Sequence, residues 1–531
     1  MFRHLRSRRR GMLVLTLVAV IGLSACRSAV DAQQDSATPA GPVVRGGDLR
    51  VGVLGDLSPK TFIQIANHGL NGHVLSNVFD TLITVDPKSP DPRPGPSLAT
   101  SWTLSPDGRT LDLKLRNDVT FHSGRPFTSA DVKSSLLAYL DGPWAPQFKR
   151  TAAAITDYDI GDPHRVVLSL KHPLGNIFDL LDSAPILDAE SLDELKAGKK
   201  FIGTGPFRFD SWTPNSSVRI VRNDDYWGGP PPLDAVTFVI ASDPKSLYTR
   251  LRTGQLDVVD GLSNNDQQIA TRRYGFVDIP LTGAEAQQYV GVNVANPVLA
   301  DVRIRRAIAF AVDRERIIDD VFRGSGYPIN VPWPKTSPAY DAQANTTYTR
   351  DVDRAKKILA EVGPLPPIDL DYGTTGDTSR IVAEIVQSNL ADIGLTVNLV
   401  PNDKTAHSAK LIGGTFKGLW ILEHAFAQYT PSTLAVSAYP FNAAKNASNF
   451  ISPEYADAAE TAWKTADPAS PEAIAAYRRL DKVWLEDLFL IELGVVIPRV
   501  TSAPGVRDVG WDRRVQLHFA KTSLTDPEGR S

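Results

Sequence analysis

Cysteine is all but absent. Cys26 is the only one in 531 residues, which excludes an internal disulfide and any cysteine-based zinc site. The folded part must be held by packing alone, which is feasible at this length because large chains bury most of their surface and divide into several domains. Long hydrophobic runs are also missing. The best stretch, 12–25, falls short of the roughly 20 apolar residues a membrane span needs. Positive charge is not in excess, with 57 basic against 60 acidic side chains. That balance gives no electrostatic case for nucleic acid as a partner. Catalytic signatures are missing too: no Gly-x-Ser-x-Gly elbow, no phosphate-binding Gly-x4-Gly-Lys and no His-Glu-x-x-His. Gly203-Thr204-Gly205 is followed by Pro206 and lacks the third glycine of a dinucleotide fingerprint.

What is present begins at the leader. Arg3, Arg6, Arg8, Arg9 and Arg10 precede the apolar run with no acid among them, and Leu23-Ser24-Ala25-Cys26 closes it. A basic region, a short apolar core and small residues before a cut describe a secretory signal over 1–25. A cut directly before cysteine resembles a bacterial lipoprotein signal, in which the Cys26 thiol is acylated. Arg9-Arg10 is compatible with a twin-arginine route as well as with general secretion. Removing 1–25 takes the net charge from −3 to −8. Residues 26–45 lack aromatics and read as a flexible tether.

From Gly46 onward strands and helices alternate without a repeat. Leu49, Val51 and Val53 alternate as in a strand, and so do Leu111, Leu113 and Leu115. Thr128 with Asp131 three residues on predicts a capped helix start. The spacing of Ile304, Ile308, Ala311, Ile318 and Phe322 predicts one helix over 302–322 with Asp301 as its N-cap. Further helices are predicted over 379–393, ended by Gly394, and over 471–487. Strands are expected at 396–400 and 490–497. Phe121, Phe127 and Val132 are expected in a core, Gly203 and Gly205 in a turn packed by Tyr226 and Trp227. Arg303, Arg305 and Arg306 are expected on a solvated helix face.

Seven stretches resemble the solute-binding proteins of dipeptide, oligopeptide and nickel ABC importers, the bacterial extracellular solute-binding family 5. They are NVFDTLITVDP (77–87), PSLATSWTLSPDGRTLDLKLRNDVTFHSGRPFTSADV (96–132), GTGPFRF (203–209), NDDYWGGPPPLD (223–234), TGQLDV (253–258), DVRIRRAIAFAVDRERI (301–317) and NASNFISPEY (446–455). They occur in the family's order. The resemblance implies an α/β, two-lobed periplasmic-binding-protein type II-like fold with an extra subdomain on the first lobe. Lobe I is then 46–84, 201–282 and 501–531; the added subdomain is 85–200; lobe II is 283–500. Hinge motion is expected near 283–289 and 497–502.

The same resemblance implies a ligand site. Asn67, His68 and Gly69 fall on a first-lobe loop, His424 and Phe426 on the facing strand. Peptide-binding members carry Ala-Asp-Tyr followed by proline, the aspartate pairing with the ligand's amino group. Here the stretch is Ala427-Gln428-Tyr429-Thr430-Pro431, so neutral Gln428 replaces the carboxylate, and Asp403 and Glu423 are the nearby substitutes. His68 and His73 lie five residues apart, off a common helical face, and read as polar surface. With His424 opposite them, a metal complex or haem-type ligand is a minor reading.

The function these features imply is a lipid-anchored receptor on the outer face of the cytoplasmic membrane. It would pass a peptide or other small solute to an ABC permease and ATPase, as a monomer, with no catalysis, cofactor or resident metal. The alternative is an envelope regulator or scaffold that keeps the fold. Because acyl chains supply most of the membrane affinity of such an anchor, Cys26→Ala is expected to move the protein to the soluble fraction or leave an uncleaved precursor. A cleaved alanine variant that still fractionates with membranes removes Cys26 as the anchor.

Overall fold

The alternation of Leu49, Val51 and Val53 places a strand at Asp48–Leu54 with all three side chains fully buried. In the computed structural model, which describes residues 44–63, 69–89, 93–141, 148–425 and 430–525, this strand sits inside a seven-stranded sheet. It pairs in parallel with Ala235–Ala241 on one side and Val258–Val259 on the other. Ser217–Arg222 and Phe207–Thr213 extend one edge, Arg499–Ser502 and Val277–Pro280 the other. Parallel neighbours require long connections, and the chain makes one between Leu54 and Phe207.

That connection carries its own four-stranded antiparallel sheet, ordered Ala99–Leu104, Thr110–Leu115, Arg165–Leu170, Ile155–Asp159. Leu111, Leu113 and Leu115 point inward as their spacing predicts. The helix Ser129–Ala138 starts as expected: Asp131 accepts from the Thr128 backbone N–H at 2.9 Å. Phe121, Phe127 and Val132 are buried.

A six-stranded sheet occupies the second half of the chain. Its order is Gly326–Pro328, Leu490–Val496, Ala286–Val292, Leu419–Ala425, Ile368–Gly373, Val397–Asn402. Ile368–Gly373 and Val397–Asn402 pair in parallel through the helix Thr378–Asp392, and Gly394 follows that helix in the left-handed region. The helix Pro471–Asp487 has the predicted bounds and leads into Leu490–Val496. The chain passes from the seven-stranded to the six-stranded sheet through 281–285 and returns through 497–498. The first crossing is shorter than the expected 283–289, because Tyr289 is already deep in a strand.

Four expectations need correction. The helix predicted over 302–322 breaks: Val302–Ala311 ends with Val312 extended, and a new turn starts at Arg314 with Asp313 accepting from Arg316 N. A local cap outcompetes the apolar period there, and Asn389 holds the break by accepting from Asp313 N at 2.9 Å. Arg305 is buried, not solvated, because three carbonyls, those of Leu299, Ala300 and Asp487, satisfy its guanidinium. His73 is fully buried. Its Nδ1 accepts from Leu517 N at 3.1 Å, which leaves Nε2–H to donate to Asp260 at 3.0 Å. Gly203 and Gly205 serve close approach more than a turn: a Cβ on Gly203 would sit 2.0 Å from the Val78 carbonyl oxygen. Beside them Tyr226 and Trp227 donate to Asp80, whose carboxyl burial pushes upward and these bonds pull back.

The C-terminal segment is locked by a buried ion cluster. Arg514 donates to Asp182 and to Asp512, each at 2.6 Å, with all three side chains no more than 10% exposed. Burial alone would raise the Asp512 carboxyl, but Arg514 and His518 reverse it to a value below the usual carboxylate range. A depressed folded pKa gives stability present above the unfolded value of about 3.9 and lost as pH falls below it. Arg514→Met strands two buried carboxylates and is expected to cost about 3–5 kcal/mol at neutral pH, read by urea unfolding. Wild-type stability in that variant removes the lock.

Candidate functional site

Gly69 and His424 are the only residues of the expected ligand set that fall within the described structure. Asn67, His68, Phe426, Gln428 and Tyr429 lie outside the described residues, as does Cys26. Gly69 is the N-cap of the helix Leu70–Val78, its carbonyl accepting from His73 N at 3.0 Å. Its φ of +82° and ψ of −146° belong to a region that favours glycine. His424 is the penultimate residue of the strand Leu419–Ala425.

Strand register builds the surroundings of His424. Side chains alternate between faces, and His424 lies directly opposite Gln287, whose other neighbour is Val495. Two residues along the same face stands Tyr289, opposite Leu422 and Glu492. The Phe441 ring closes over this face, 5.2 Å from the His424 ring and 5.7 Å from that of Tyr289. Trp484 packs against Phe441 and Tyr455.

This face is chemically unusual for a strand interior. Gln287 is fully buried, and among the described residues neither atom of its amide has a hydrogen-bond partner. Both carboxyl oxygens of fully buried Glu492 likewise have none. Burial pushes the Glu492 acid well above its usual range, and the attraction of Arg314 only partly offsets it. Arg314 is itself occupied by the carbonyls of Glu492, Ala309 and Tyr348. Burial thus favours the uncharged form of Glu492. Buried polar groups are otherwise almost always paired, and Gln287 and Glu492 depart from that rule on neighbouring positions of one sheet face.

The substitute acids do not serve this face. Asp403 caps the helix Lys404–Gly413 by accepting from Ala406 N at 2.9 Å. Glu423 alternates to the opposite face, where it accepts from Gln288 at 2.5 Å. The sequence reading missed Glu285, one residue before the strand Ala286–Val292 and in alternation with Gln287. It is buried in the first crossing, its carboxyl raised by desolvation and held back by Arg513 and Lys335. Two cations thus face one acid. Both ring nitrogens of His73 are engaged, so the histidine-bearing cleft loses that member. Among the described residues no three His, Cys, Asp or Glu side chains converge as a metal set, and no helix is long and apolar enough to cross a membrane.

Residues 93–472 match the sequence model of the bacterial extracellular solute-binding proteins, family 5 Middle. The chain belongs to this family. Curated relatives include the oligopeptide-binding protein AppA of Bacillus subtilis, 27% identical over 371 residues that make up 66% of each chain. The di/tripeptide-binding protein 2 of Pseudomonas aeruginosa is 32% identical over 57% of this chain and 63% of its own. The match therefore spans slightly less than two thirds of these relatives' length. Among solved structures, the periplasmic binding protein DppA of Helicobacter pylori, in complex with peptide STSA, superposes with a TM-score of 0.77 at 21% identity, covering 94% of this chain and 100% of that one. NikA of Brucella suis, in complex with Fe(III)-EDTA, gives 0.79 at 20% identity, covering 90% and 99%. The shared fold is the α/β, type II periplasmic-binding-protein fold.

Glu492 gives the site a titration signature. Burial lets the acid keep its proton to higher pH in the fold than in the unfolded chain, where it ionises above about pH 4.3. Unfolding then releases a proton, so its contribution to stability falls as pH rises through neutrality. Glu492→Gln removes this dependence, and its stability relative to wild type is expected to grow between about pH 5 and 8 in denaturant titrations. Parallel profiles for the two proteins mean that Glu492 is ionised in the fold.

Proposed function

We propose that this protein is the receptor of an ABC importer, capturing a peptide or peptide-like solute between two lobes and presenting it to a permease and its ATPase. The lobes are those implied by the sequence: 46–84, 201–282 and 501–531 around the seven-stranded sheet, 283–500 around the six-stranded sheet, with 85–200 added to the first. Two short crossings, 281–285 and 497–498, provide the hinge. Cys26 carries the lipid anchor, and the receptor works as a monomer without catalysis. Family membership supports the class of solute receptor, and the curated names of relatives support peptides. The envelope-scaffold reading gains no support from the family.

The observation that carries the reading is the unpartnered Gln287 amide across from His424, at the end of the strand that runs into 426–431. One donor and one acceptor side by side match the two hydrogen-bonding groups of an extended peptide unit. The electrostatics narrow the solute. Gln428 brings no charge, burial disfavours a charge on Glu492, and Glu285 already lies in the field of Arg513 and Lys335. A free ammonium group therefore gains no uncompensated carboxylate from these three residues, loses a charge-assisted bond and keeps its desolvation cost.

Calorimetry with a dipeptide library and its N-acetylated counterparts tests this reading. Blocked peptides are expected to bind roughly 30- to 1000-fold more tightly than free ones, corresponding to about 2–4 kcal/mol. Tight binding of free dipeptides that acetylation abolishes overturns the argument from Gln428. Loss of that binding in Glu285→Gln would then identify Glu285 as the counter-charge. Failure of every peptide, blocked or free, overturns the peptide class itself.

A further inference from the structure

The added segment 85–200 touches the second half of the chain where the expected ligand loop ends. Thr430 follows directly on Tyr429. Its backbone N–H donates to Asp179 Oδ2 at 3.0 Å, and its hydroxyl donates to the Gly175 carbonyl at 3.2 Å. Thr433, one turn into the helix Pro431–Ser437, donates its hydroxyl to the same Asp179 oxygen at 2.9 Å. Asp179 is 3% exposed and Thr433 1%. A carboxylate so deeply enclosed is stabilised only by charge-assisted bonds of this kind.

The contact continues along one strip. Gly175 N donates to the Trp463 carbonyl at 2.9 Å, and the Trp463 indole donates to Asn176 at 2.9 Å. Any side chain at 175 is barred, since a Cβ would lie 2.6 Å from the Thr465 carbonyl oxygen. His172 meets the Trp463 ring edge-on, and Arg150 covers its face and pairs with Glu460. Beside the strip lies a cavity of about 550 Å³ lined by Trp102, Leu104 and Phe178 on one side and by Pro338, Thr430 and Ala466 on the other. The join is therefore well made at Asp179 and loose next to it.

We propose that Asp179 is a latch: through Thr430 and Thr433 it docks the added subdomain onto the second lobe, biasing the solute-free chain toward the closed arrangement. This rests on the reading of the chain as a two-lobed receptor. Asp179 acts as a positioning residue, through Thr430 and Thr433, and not as a contact of the solute. The consequence is that this contact and lobe closure form one equilibrium, which a solute shifts by binding the closed form better.

Small-angle scattering of the purified chain with no solute added tests the latch independently of any peptide titration. Asp179→Ala is expected to have a larger radius of gyration than wild type. Thr433→Val removes one donor and keeps the carboxylate, so it should shift in the same direction by less. Arg150→Ala removes the half-exposed pair with Glu460 and the cover on the Trp463 ring but leaves Asp179, Thr430 and Thr433 in place, so it should expand the chain clearly less than Asp179→Ala. If Asp179→Ala lowers the melting temperature but keeps wild-type dimensions, the contact belongs to a permanent unit and the latch is overturned. Should Asp179→Ala fail to fold, Thr433→Val decides alone: expansion supports the latch, unchanged dimensions overturn it. Expansion of Arg150→Ala equal to that of Asp179→Ala also overturns it, because the effect would then belong to the interface at large.

Discussion

Only two passages of backbone, 281–285 and 497–498, join the seven-stranded sheet to the six-stranded sheet. Much else in the molecule answers to that constraint. Two bodies joined so sparingly hold a fixed relation only through side chains and packed loops. The first crossing is accordingly crowded: Trp511 donates to the Thr282 carbonyl at 2.9 Å, and Gly283 packs so closely on Pro87 that a Cβ would lie 1.9 Å from its carbonyl oxygen. The second crossing is tied by Ser325, which donates to the Ile497 carbonyl at 3.0 Å.

The C-terminal segment has the same logic at a distance. It returns to the first sheet at Arg499–Ser502 and then wraps back over the helix Leu70–Val78. Leu517 N donates to His73, and Phe519 N donates to Asn77 at 2.8 Å. Arg514 reaches Asp182 in the added segment. Three parts of the chain that are remote in sequence are thus bound by buried polar groups, each with its bonding completed. A chain with a single cysteine has no internal disulfide for this purpose. Directional bonds inside the core take that role, and they fix orientation more sharply than apolar contact does.

The fold was largely legible because its signals are local. Alternation at 49, 51, 53 and at 111, 113, 115 needs no knowledge of distant residues, and the helix Pro471–Asp487 begins at a serine cap with proline inside the first turn. The seven family stretches added the lobed architecture. The misreadings share a different cause. Arg305 looks like a surface arginine until the carbonyl of Asp487 is brought to it from 182 residues away. His73 looks like a loose polar residue until Leu517 and Asp260 arrive. The break after Ala311 is set by Asp313 and confirmed by Asn389, whereas the apolar period runs straight through. At the site, Gln287, Glu285 and Glu492 carry no motif. Their character comes from register, which puts Gln287 beside His424 and Glu492 beside Tyr289, and no spacing rule within one strand encodes that.

What the site lacks in charge it holds in unpaired hydrogen-bonding capacity, and this decides how it can discriminate. A carboxylate at the end of a pocket selects any ammonium of suitable reach, because the attraction is strong and weakly directional. A buried amide selects by geometry. It leaves a donor or acceptor stranded whenever the solute misplaces its own, at a cost of about 1–3 kcal/mol for each. In the protonated form that burial favours, Glu492 offers one donor and one acceptor in place of a fixed negative charge.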